Sequence, residues 1–190
     1  MEEDRIKWDE RYTGESYFFS FEPSKFLARC FPVVSPLLPG PRAMDLACGE
    51  GRNAIYLARH GFEVTAVDIS PRGLERGAHR AAEVGVSVDF VEADLEEYRF
   101  DDCYDVILNF NFLLRPLIPM MVEALNPGGV IVMETILDIP SLEPGHTKSF
   151  LLQPGELLQL FEAFGGTVHL FEEEAKGPTP VARIIFQKAG

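Results

Sequence analysis

The chain of 190 residues carries 30 acidic and 17 basic side chains, a formal charge of −13 at pH 7, and 46% of its residues are hydrophobic. This length predicts one domain that buries roughly 70% of the surface of its unfolded chain, and the negative charge predicts no nucleic-acid partner because phosphate backbones repel it. Three cysteines without zinc-ligand spacing predict no disulfide framework and no metal site, while the lack of an apolar run of about 18 residues predicts a cytoplasmic protein without a membrane partner.

The first 41 residues differ in pattern from the rest of the chain. They mix aromatic and charged side chains, with Trp8 and Tyr12 at helical spacing, and we expect them to form a lead segment ahead of a core at 42–190. In the core, apolar runs alternate with amphipathic runs. The apolar runs predict strands at 43–47, 63–67, 86–91, 104–110 and 129–135. The amphipathic runs predict helices at 52–60, 71–84 and 117–125, so the strands are expected to be parallel and joined by crossover helices.

The tail of the chain breaks this alternation. A helix at 154–163 is followed by strands at 167–173 and 181–187, and the short segment between the two strands allows only an antiparallel return. The predicted fold class is therefore α/β, a Rossmann-like, doubly wound, mostly parallel seven-stranded sheet with a C-terminal antiparallel strand pair. We expect residues 1–190 to form a single domain.

A glycine turn and a downstream acid indicate a ligand site. The first strand runs into Gly49-Glu50-Gly51, and the next strand ends at Asp68, 19 residues after Gly49. Gly49 and Gly51 let a ligand approach bare backbone, and the helix that follows begins with unpaired N–H groups. Asp68 is placed to accept hydrogen bonds from the two hydroxyls of a ribose, because Ser70 already supplies the helix cap. The pattern predicts an adenosine-like ligand.

Further polar residues lie on the same edge of the predicted sheet. Asp45, inside the first strand, is costly to bury unless it accepts hydrogen bonds from loop amides or faces a cation. Asp94, beside Leu95, ends the third strand, where it either contacts an adenine edge or caps the following turn. Asn109 and Phe110 end the fourth strand, next to the expected reacting end of the ligand.

Three segments resemble one enzyme family. The run Asp45-Leu46-Ala47-Cys48-Gly49-Glu50-Gly51-Arg52-Asn53, together with Val67-Asp68-Ile69-Ser70, resembles motif I and the ribose-binding acid of class I S-adenosylmethionine-dependent methyltransferases. Leu125-Asn126-Pro127-Gly128-Gly129 resembles the turn before their fifth strand. Trp8 to Tyr12, Glu22-Pro23 and 150–157 are similar to the small tellurite-resistance and thiopurine-type methyltransferases. Ser20, Ser24 and Asn111-Phe112 depart from that subfamily.

This resemblance implies S-adenosyl-L-methionine as the cofactor, with S-adenosyl-L-homocysteine as its product. It implies that Gly49 and Gly51 lie under the cofactor, that Asp45 lies near its ammonium group, and that Asn109 lies near its methionyl end. Asp68 would bind the ribose, and Asp94 with Leu95 the adenine. The implied cofactor-binding residues are Trp8, Tyr12, Asp45, Ala47, Cys48, Gly49, Gly51, Asn53, Asp68, Ile69, Asp94, Leu95, Asn109 and Phe110.

The acceptor is expected to be a small molecule, a thiol or a chalcogen oxyanion such as tellurite. Such groups are already ionised or polarisable near neutral pH, so a cationic funnel helps more than a base does. The candidate catalytic residues are Asn109, Arg115, His146 and Arg183, with Lys148 as a further cation and His146 as the base. The candidate lid residues that would exclude water are Tyr12, Tyr17, Phe18 and Phe19. A homodimer is left open.

Two other functions remain open at this stage. Gly49, Gly51 and Ala54 also satisfy the Gly-x-Gly-x-x-Ala pattern of nicotinamide-dinucleotide proteins. Asp45 within the first strand, an unexplained Asp94 and the lack of a separate substrate domain oppose that reading. A non-catalytic S-adenosylmethionine-binding regulator differs from an enzyme by a sealed acceptor pocket beyond Asn109.

Overall fold

The computed structural model describes residues 2–14, 16–140, 142, 147–176 and 179–190. Its helices are α1 (Glu2–Arg11), α2 (Lys25–Val34), α3 (Arg52–Arg59), α4 (Pro71–Glu83), α5 (Leu117–Glu123) and α6 (Glu156–Glu162). Its strands are β1 (Arg42–Leu46), β2 (Glu63–Asp68), β3 (Asp89–Glu92), β4 (Tyr104–Phe110), β5 (Leu125–Ile136), β6 (Gly166–Glu174) and β7 (Val181–Lys188). Within these described ranges, every helix is too short or too polar to span a bilayer.

The seven strands form one sheet in the order β3-β2-β1-β4-β5-β7-β6. Strands β1 to β5 are parallel to one another, and β7 is antiparallel to both β5 and β6. Every residue of β4 is buried, as expected for a central parallel strand covered on both faces. The predicted fold class is confirmed, including the antiparallel pair at the C-terminus.

The sheet carries a hydrophobic cluster on each face. Successive residues of β1 point to opposite faces, so Met44 packs into one cluster with Met121 of α5, whereas Ala43 packs into the other with Leu57 of α3. Helix α2 joins the second cluster through a set of buried side chains, Phe26, Leu27, Cys30, Phe31 and Val34. The lead segment therefore contributes to the core as well as to the site.

Two helix ends were predicted, one of them together with a strand that begins later than expected. Helix α4 ends in a Schellman turn, in which Gly85 adopts a φ of +72° and the N–H of Val86 donates to the carbonyl of Ala81 at 3.0 Å. Val86 therefore belongs to the helix end, and β3 begins at Asp89 rather than at residue 86. The predicted end of α3 at His60-Gly61 is confirmed, with Gly61 at a φ of +86°.

The segment 125–129 is not a free turn before the fifth strand. Strand β5 begins at Leu125, and its pairing with β4 shifts register between Tyr104 and Val106, so Asn126 to Gly129 form a bulge inside an extended strand. Gly128 takes a φ of +79° within that bulge. The sequence signal for a turn was correct about the backbone angles and wrong about the strand boundary.

Candidate active site

The carboxyl ends of the parallel strands meet two adjoining cavities, at the place where strand order reverses around β1. The smaller cavity, about 60 Å³, lies over the turn after β1. The larger cavity, about 420 Å³, extends across the ends of β2 to β5. Trp8, Phe19, Asp68 and Asn111 line both cavities, so the two form one continuous site.

Most predicted cofactor-binding residues are brought together around these cavities. Those on the smaller cavity are Trp8, Tyr12, Asp45, Ala47, Cys48, Gly49, Asn53, Asp68 and Phe110. Those on the larger cavity are Trp8, Asp68, Ile69, Asp94 and Leu95. Gly51 and Asn109 are the two predicted residues that line neither cavity.

The turn after β1 holds three residues in the left-handed backbone region. The angle φ is +53° at Ala47, +56° at Gly49 and +71° at Gly51. Glycine adopts these angles without steric cost, whereas Ala47 is strained, as residues at functional sites often are. The N–H of Gly49 donates to Asp68 Oδ2 at 2.7 Å. Strand β2 thereby fixes the backbone that faces the smaller cavity.

Gly51 constrains the turn through its contact with the neighbouring strand. A Cβ added there would lie 2.8 Å from the ring of Phe90. We expect Gly51→Ala to lower the free energy of unfolding by about 2 to 4 kcal/mol, because a left-handed strain and a steric clash add together. Gly85→Ala is the matched control, since its φ is +72° and nothing lies within 4 Å of the added Cβ. Denaturant unfolding measures both variants, and equal losses would show that the Phe90 contact does not matter.

Asp68 is buried, 7% exposed, and its carboxylate already organises the site. Besides the bond from Gly49, Oδ1 accepts the N–H of Ser70 at 2.9 Å. Ser70 also caps α4, as predicted, by accepting the N–H of Gly73 at 3.0 Å. Burial raises the pKa of Asp68 and the backbone hydrogen bonds oppose that rise. The backbone hydrogen bonds come from Gly49, Ile69 and Ser70, and a carboxylate has about four lone-pair positions, so capacity remains for a hydroxyl donor in the cavity.

Asp45 lies beneath the smaller cavity and is 2% exposed. Its Oδ2 accepts the N–H of Ala54 in α3 at 3.0 Å, which is the amide bond that burial requires. Burial raises the pKa of Asp45 from 3.8 to about 7, against the opposing effects of that bond and of Arg52. A cation entering the smaller cavity would favour the ionised form of this carboxyl.

Asp94 and Leu95 lie together at the far end of the larger cavity. Asp94 Oδ1 accepts the N–H of Glu96 at 3.0 Å, so the turn-capping role is present. Capping and ligand contact are compatible here because Asp94 also lines the cavity. Leu95 is 7% exposed and joins Ile69 in the cavity wall, which gives a planar apolar group a surface to pack against.

Aromatic side chains from α1 and the following loop cover the site. Trp8 and Tyr12 are stacked with ring centroids 6.0 Å apart, and Tyr12 meets Phe18 edge-on at 6.2 Å. Tyr12 is buried, and a Cβ added at Gly49 would lie 2.5 Å from its hydroxyl. We call residues 12–14 and 16–21 the lid loop. Its side chains form the outer wall of both cavities.

Asn109 lies just below the site rather than in its lining. Its side chain is 1% exposed, and Nδ2 lies 4.0 Å from the sulfur of Met121 on α5. Its Oδ1 has no hydrogen-bond partner among the described residues. The neighbouring Asn111, which does line both cavities, has a φ of +58°. Asn111 therefore faces the cavities and Asn109 supports them from below, and the role assigned to Asn109 stays a prediction.

The arginines predicted to form a cationic funnel are paired with carboxylates. Arg115 Nη2 donates to Glu156 Oε2 at 2.9 Å. Arg183 Nη1 donates to Glu172 at 3.0 Å and to Glu174 at 2.8 Å. Neither arginine lines either cavity. The charges of both arginines are therefore largely neutralised by carboxylates, away from the two cavities where the cationic funnel was expected.

The two remaining residues of the predicted funnel are Lys148 and His146. Lys148 is exposed and begins the short 3-10 helix Lys148–Phe150. His146, the predicted base, lies outside the described residues. Its role stays a prediction.

Several site residues were not identified from the sequence. Phe112 and Phe150 line the larger cavity with ring centroids 6.2 Å apart, although they are 38 residues apart in the chain. Glu50, read only as the spacer between two glycines, is 1% exposed and bonds to the lid loop. The available signal was an acid within the glycine turn together with two arginines, Arg76 and Arg80, one helical turn apart in α4.

Comparisons with known proteins agree with this architecture. Residues 43–129 match the model of a family described as a methyltransferase domain. A ubiquinone biosynthesis O-methyltransferase of Rickettsia canadensis (strain McKiel) is 30% identical over 98 residues, which is 49% of this chain and 42% of that protein. The chain therefore spans less than half the length of this curated relative.

Two solved structures share the fold over almost the whole chain. TehB from Haemophilus influenzae has a TM-score of 0.74 and 18% identity, with 95% of this chain and 67% of that chain covered. The N-methyltransferase NodS from Bradyrhizobium japonicum WM9, solved in complex with S-adenosyl-l-homocysteine, has a TM-score of 0.72 and 16% identity, with 98% of both chains covered. Fold and family match together confirm the resemblance to class I S-adenosylmethionine-dependent methyltransferases.

Proposed function

We propose that this chain, whose residues 43–129 match the model of a methyltransferase domain, transfers a methyl group from S-adenosylmethionine to a small molecule. One observation carries the proposal: Asp45, the Gly49 backbone and Asp68 surround one continuous site. In this arrangement Asp45 would hold the ammonium group and Asp68 the ribose hydroxyls, above the bare backbone of Gly49. Ile69 and Leu95 would pack against the adenine.

In this proposal, the protein contributes positioning and exclusion of water. When bound, the cofactor would supply a sulfonium methyl, which is transferred in line as the acceptor–carbon bond forms and the carbon–sulfur bond breaks. Asp45 would hold the methionyl end of the donor and Asp68 its ribose, while the lid loop would shield the reacting atoms from water. Such orientation lowers the barrier by fixing near-attack geometry. If an acceptor proton must leave, His146 is our candidate base.

For the acceptor, we propose a thiol in preference to a chalcogen oxyanion such as tellurite. Arg115 and Arg183 pair with carboxylates, so their charge is not available to attract an anion. The described wall of the larger cavity beyond Leu95 is mainly apolar, with Phe112, Ile136, Phe150 and Leu151. A hydroxyl acceptor is the second candidate, because the curated relatives are named as O-methyltransferases.

The alternatives fit the site less well. In a nicotinamide-dinucleotide protein, a pyrophosphate would lie at the glycine turn, where Arg52 would attract it but the ionised form of the buried Asp45 would repel it. For a non-catalytic regulator, a sealed acceptor pocket is expected. The larger cavity instead continues past Leu95 to Phe112 and Phe150, which leaves room for a second molecule.

Calorimetry and a transfer assay test the proposal in two steps. We expect S-adenosylmethionine and S-adenosylhomocysteine to bind one per chain and NAD not to bind, with a thermal shift for the first two ligands because binding to the folded state stabilises it. Transfer of labelled methyl is then measured with a thiol, a phenol and tellurite. Binding of NAD without binding of S-adenosylmethionine would contradict the proposed cofactor. Binding without transfer to any acceptor would favour the regulator.

A further inference from the structure

The glycine turn contains a buried carboxylate that the proposed reaction does not use. Glu50 lies between Gly49 and Gly51 and is 1% exposed. Its Oε2 accepts the backbone N–H of Phe18 at 2.8 Å and that of Phe19 at 3.2 Å. A carboxylate thus reaches from the turn beneath the cofactor site to the loop that covers it. These two backbone donors lie 32 and 31 residues earlier in the chain.

Arg76 and Arg80 of α4 complete the same connection. Arg76 Nε donates to Glu50 Oε1 at 2.7 Å, and its Nη1 donates to the carbonyl of Gly14 at 2.8 Å. Arg80 Nη2 donates to the carbonyl of Phe19 at 2.9 Å, and Nη1 lies 3.9 Å from Glu50 Oε2. We call Glu50, Arg76 and Arg80 the latch. The latch accepts hydrogen bonds from two N–H groups of the lid backbone and donates hydrogen bonds to two of its carbonyls.

The arginines also hold the lid through its aromatic rings. The guanidinium of Arg80 lies 3.8 Å from the centroid of Tyr17 and 4.6 Å from that of Phe21. The guanidinium of Arg76 lies 4.5 Å from the Tyr17 ring. Arg80 is itself 1% exposed in its side chain, so its charge is desolvated and its interactions are correspondingly strong.

The described lid loop contains no helix or strand of its own. Its position between α1 and α2 therefore depends on side-chain contacts, and the latch supplies those that bind the backbone of Gly14, Phe18 and Phe19. Phe18 and Phe19 line the larger cavity, and Phe19 also lines the smaller one. The latch holds the backbone of these two residues, so it sets where the outer wall of the site lies.

We propose that Glu50 is a positioning residue that couples the cofactor turn to the lid loop, so that occupation of the turn and closure of the lid favour each other. The inference deepens the proposed function and rests on it for the identity of the ligand. Gly49 contacts both the site and Asp68, and Glu50 is the next residue. A ligand that orders the turn therefore also orders the carboxylate to which the lid is bound. Coupling of this kind is reciprocal between the two elements.

Hydrogen exchange with and without S-adenosylhomocysteine tests the coupling. In the wild-type protein, we expect saturating ligand to slow exchange of the 16–21 amides about tenfold. In Glu50→Gln, which keeps the volume but removes the charge and one acceptor oxygen, ligand-free exchange of these amides should be about tenfold faster. Because the coupling is reciprocal, the ligand should bind this variant up to about tenfold more weakly than the wild type, and it should no longer slow lid exchange.

Glu75→Gln is the matched control, because Glu75 is an exposed acid beside Arg76 on the same helix. It should exchange like the wild type with and without ligand. If Glu50→Gln does not unfold cooperatively, Arg76→Gln replaces it and should give a smaller change of the same sign. The proposal would be overturned if the 16–21 amides of folded Glu50→Gln exchanged at the wild-type rate and S-adenosylhomocysteine slowed that exchange as much as in the wild type. If the wild type does not bind S-adenosylhomocysteine, the proposed function fails, whereas the ligand-free comparison still tests the latch.

Discussion

Replacing Asp68 with alanine should weaken binding of S-adenosylhomocysteine by about 100-fold or more. A charge-assisted hydrogen bond contributes roughly 1.5 to 3 kcal/mol, and this carboxylate is placed to accept two from a ribose. The variant also frees the N–H of Gly49, which donates to Asp68 at 2.7 Å, so the turn loses its fixed position. Isothermal titration calorimetry measures the change in affinity.

Two companion variants separate these contributions. Asp68→Asn keeps an oxygen for one backbone donor and should lose less affinity than the alanine variant. Asp89→Ala is the matched control, because Asp89 is an exposed acid at the opposite end of the parallel strands, on β3. It should bind like the wild type. Affinity unchanged in a folded Asp68→Ala protein would refute the ribose assignment.

Asp45→Asn should lower the affinity for S-adenosylhomocysteine and remove most of its pH dependence. The pKa of Asp45 is about 7 in the ligand-free protein because of burial. An ammonium in the smaller cavity stabilises the ionised carboxylate, so binding should strengthen as pH rises through this value. Between pH 5.5 and 7.5 we expect about a tenfold gain in wild-type affinity and little change in the variant. Calorimetry at several pH values measures both.

Asp45→Asn should bind the ligand more weakly than the wild type but should resist unfolding better at high pH. The folded-state pKa of Asp45 lies above the ordinary value of 3.8, so the folded protein retains a proton that the unfolded chain has lost. Ligand-free wild-type protein therefore loses stability as pH rises from about 4 to about 7, and Asp45→Asn should not lose this contribution. At pH 8 the variant should unfold at a higher denaturant concentration than the wild type. A variant that is both less stable and equally tight in binding would contradict the role given to Asp45.

Much of the fold could be predicted from the sequence because its signals are local. Strand and helix periodicity gave the order of elements, and His60-Gly61 and Ser70-Pro71 marked helix ends that the structure contains. Errors arose where one residue type serves two structures. Gly85 and Val86 resembled the start of a strand but close a helix, and Gly128 resembled a free turn but forms a bulge that requires β4 as its partner.

The site residues likewise differ in whether their signals are local in the sequence. Gly49 and Asp68 were identifiable because motif spacing and the carboxyl ends of parallel strands bring them together. The partners of Arg115 and Arg183 were not, since Glu156 and Glu174 reach them only through the packing of the tail. The same holds for Glu50, whose role depends on a loop more than 30 residues earlier in the chain. Long-range pairing of charges leaves little trace in a single sequence.

A crystal structure of the protein with S-adenosylhomocysteine would test the proposed cofactor site. We expect both ribose hydroxyls within hydrogen-bond distance of Asp68, the adenine against Ile69 and Leu95, and the ammonium group in the smaller cavity above Asp45. A ligand bound outside these two cavities, or one bound with its ribose turned away from Asp68, would contradict it.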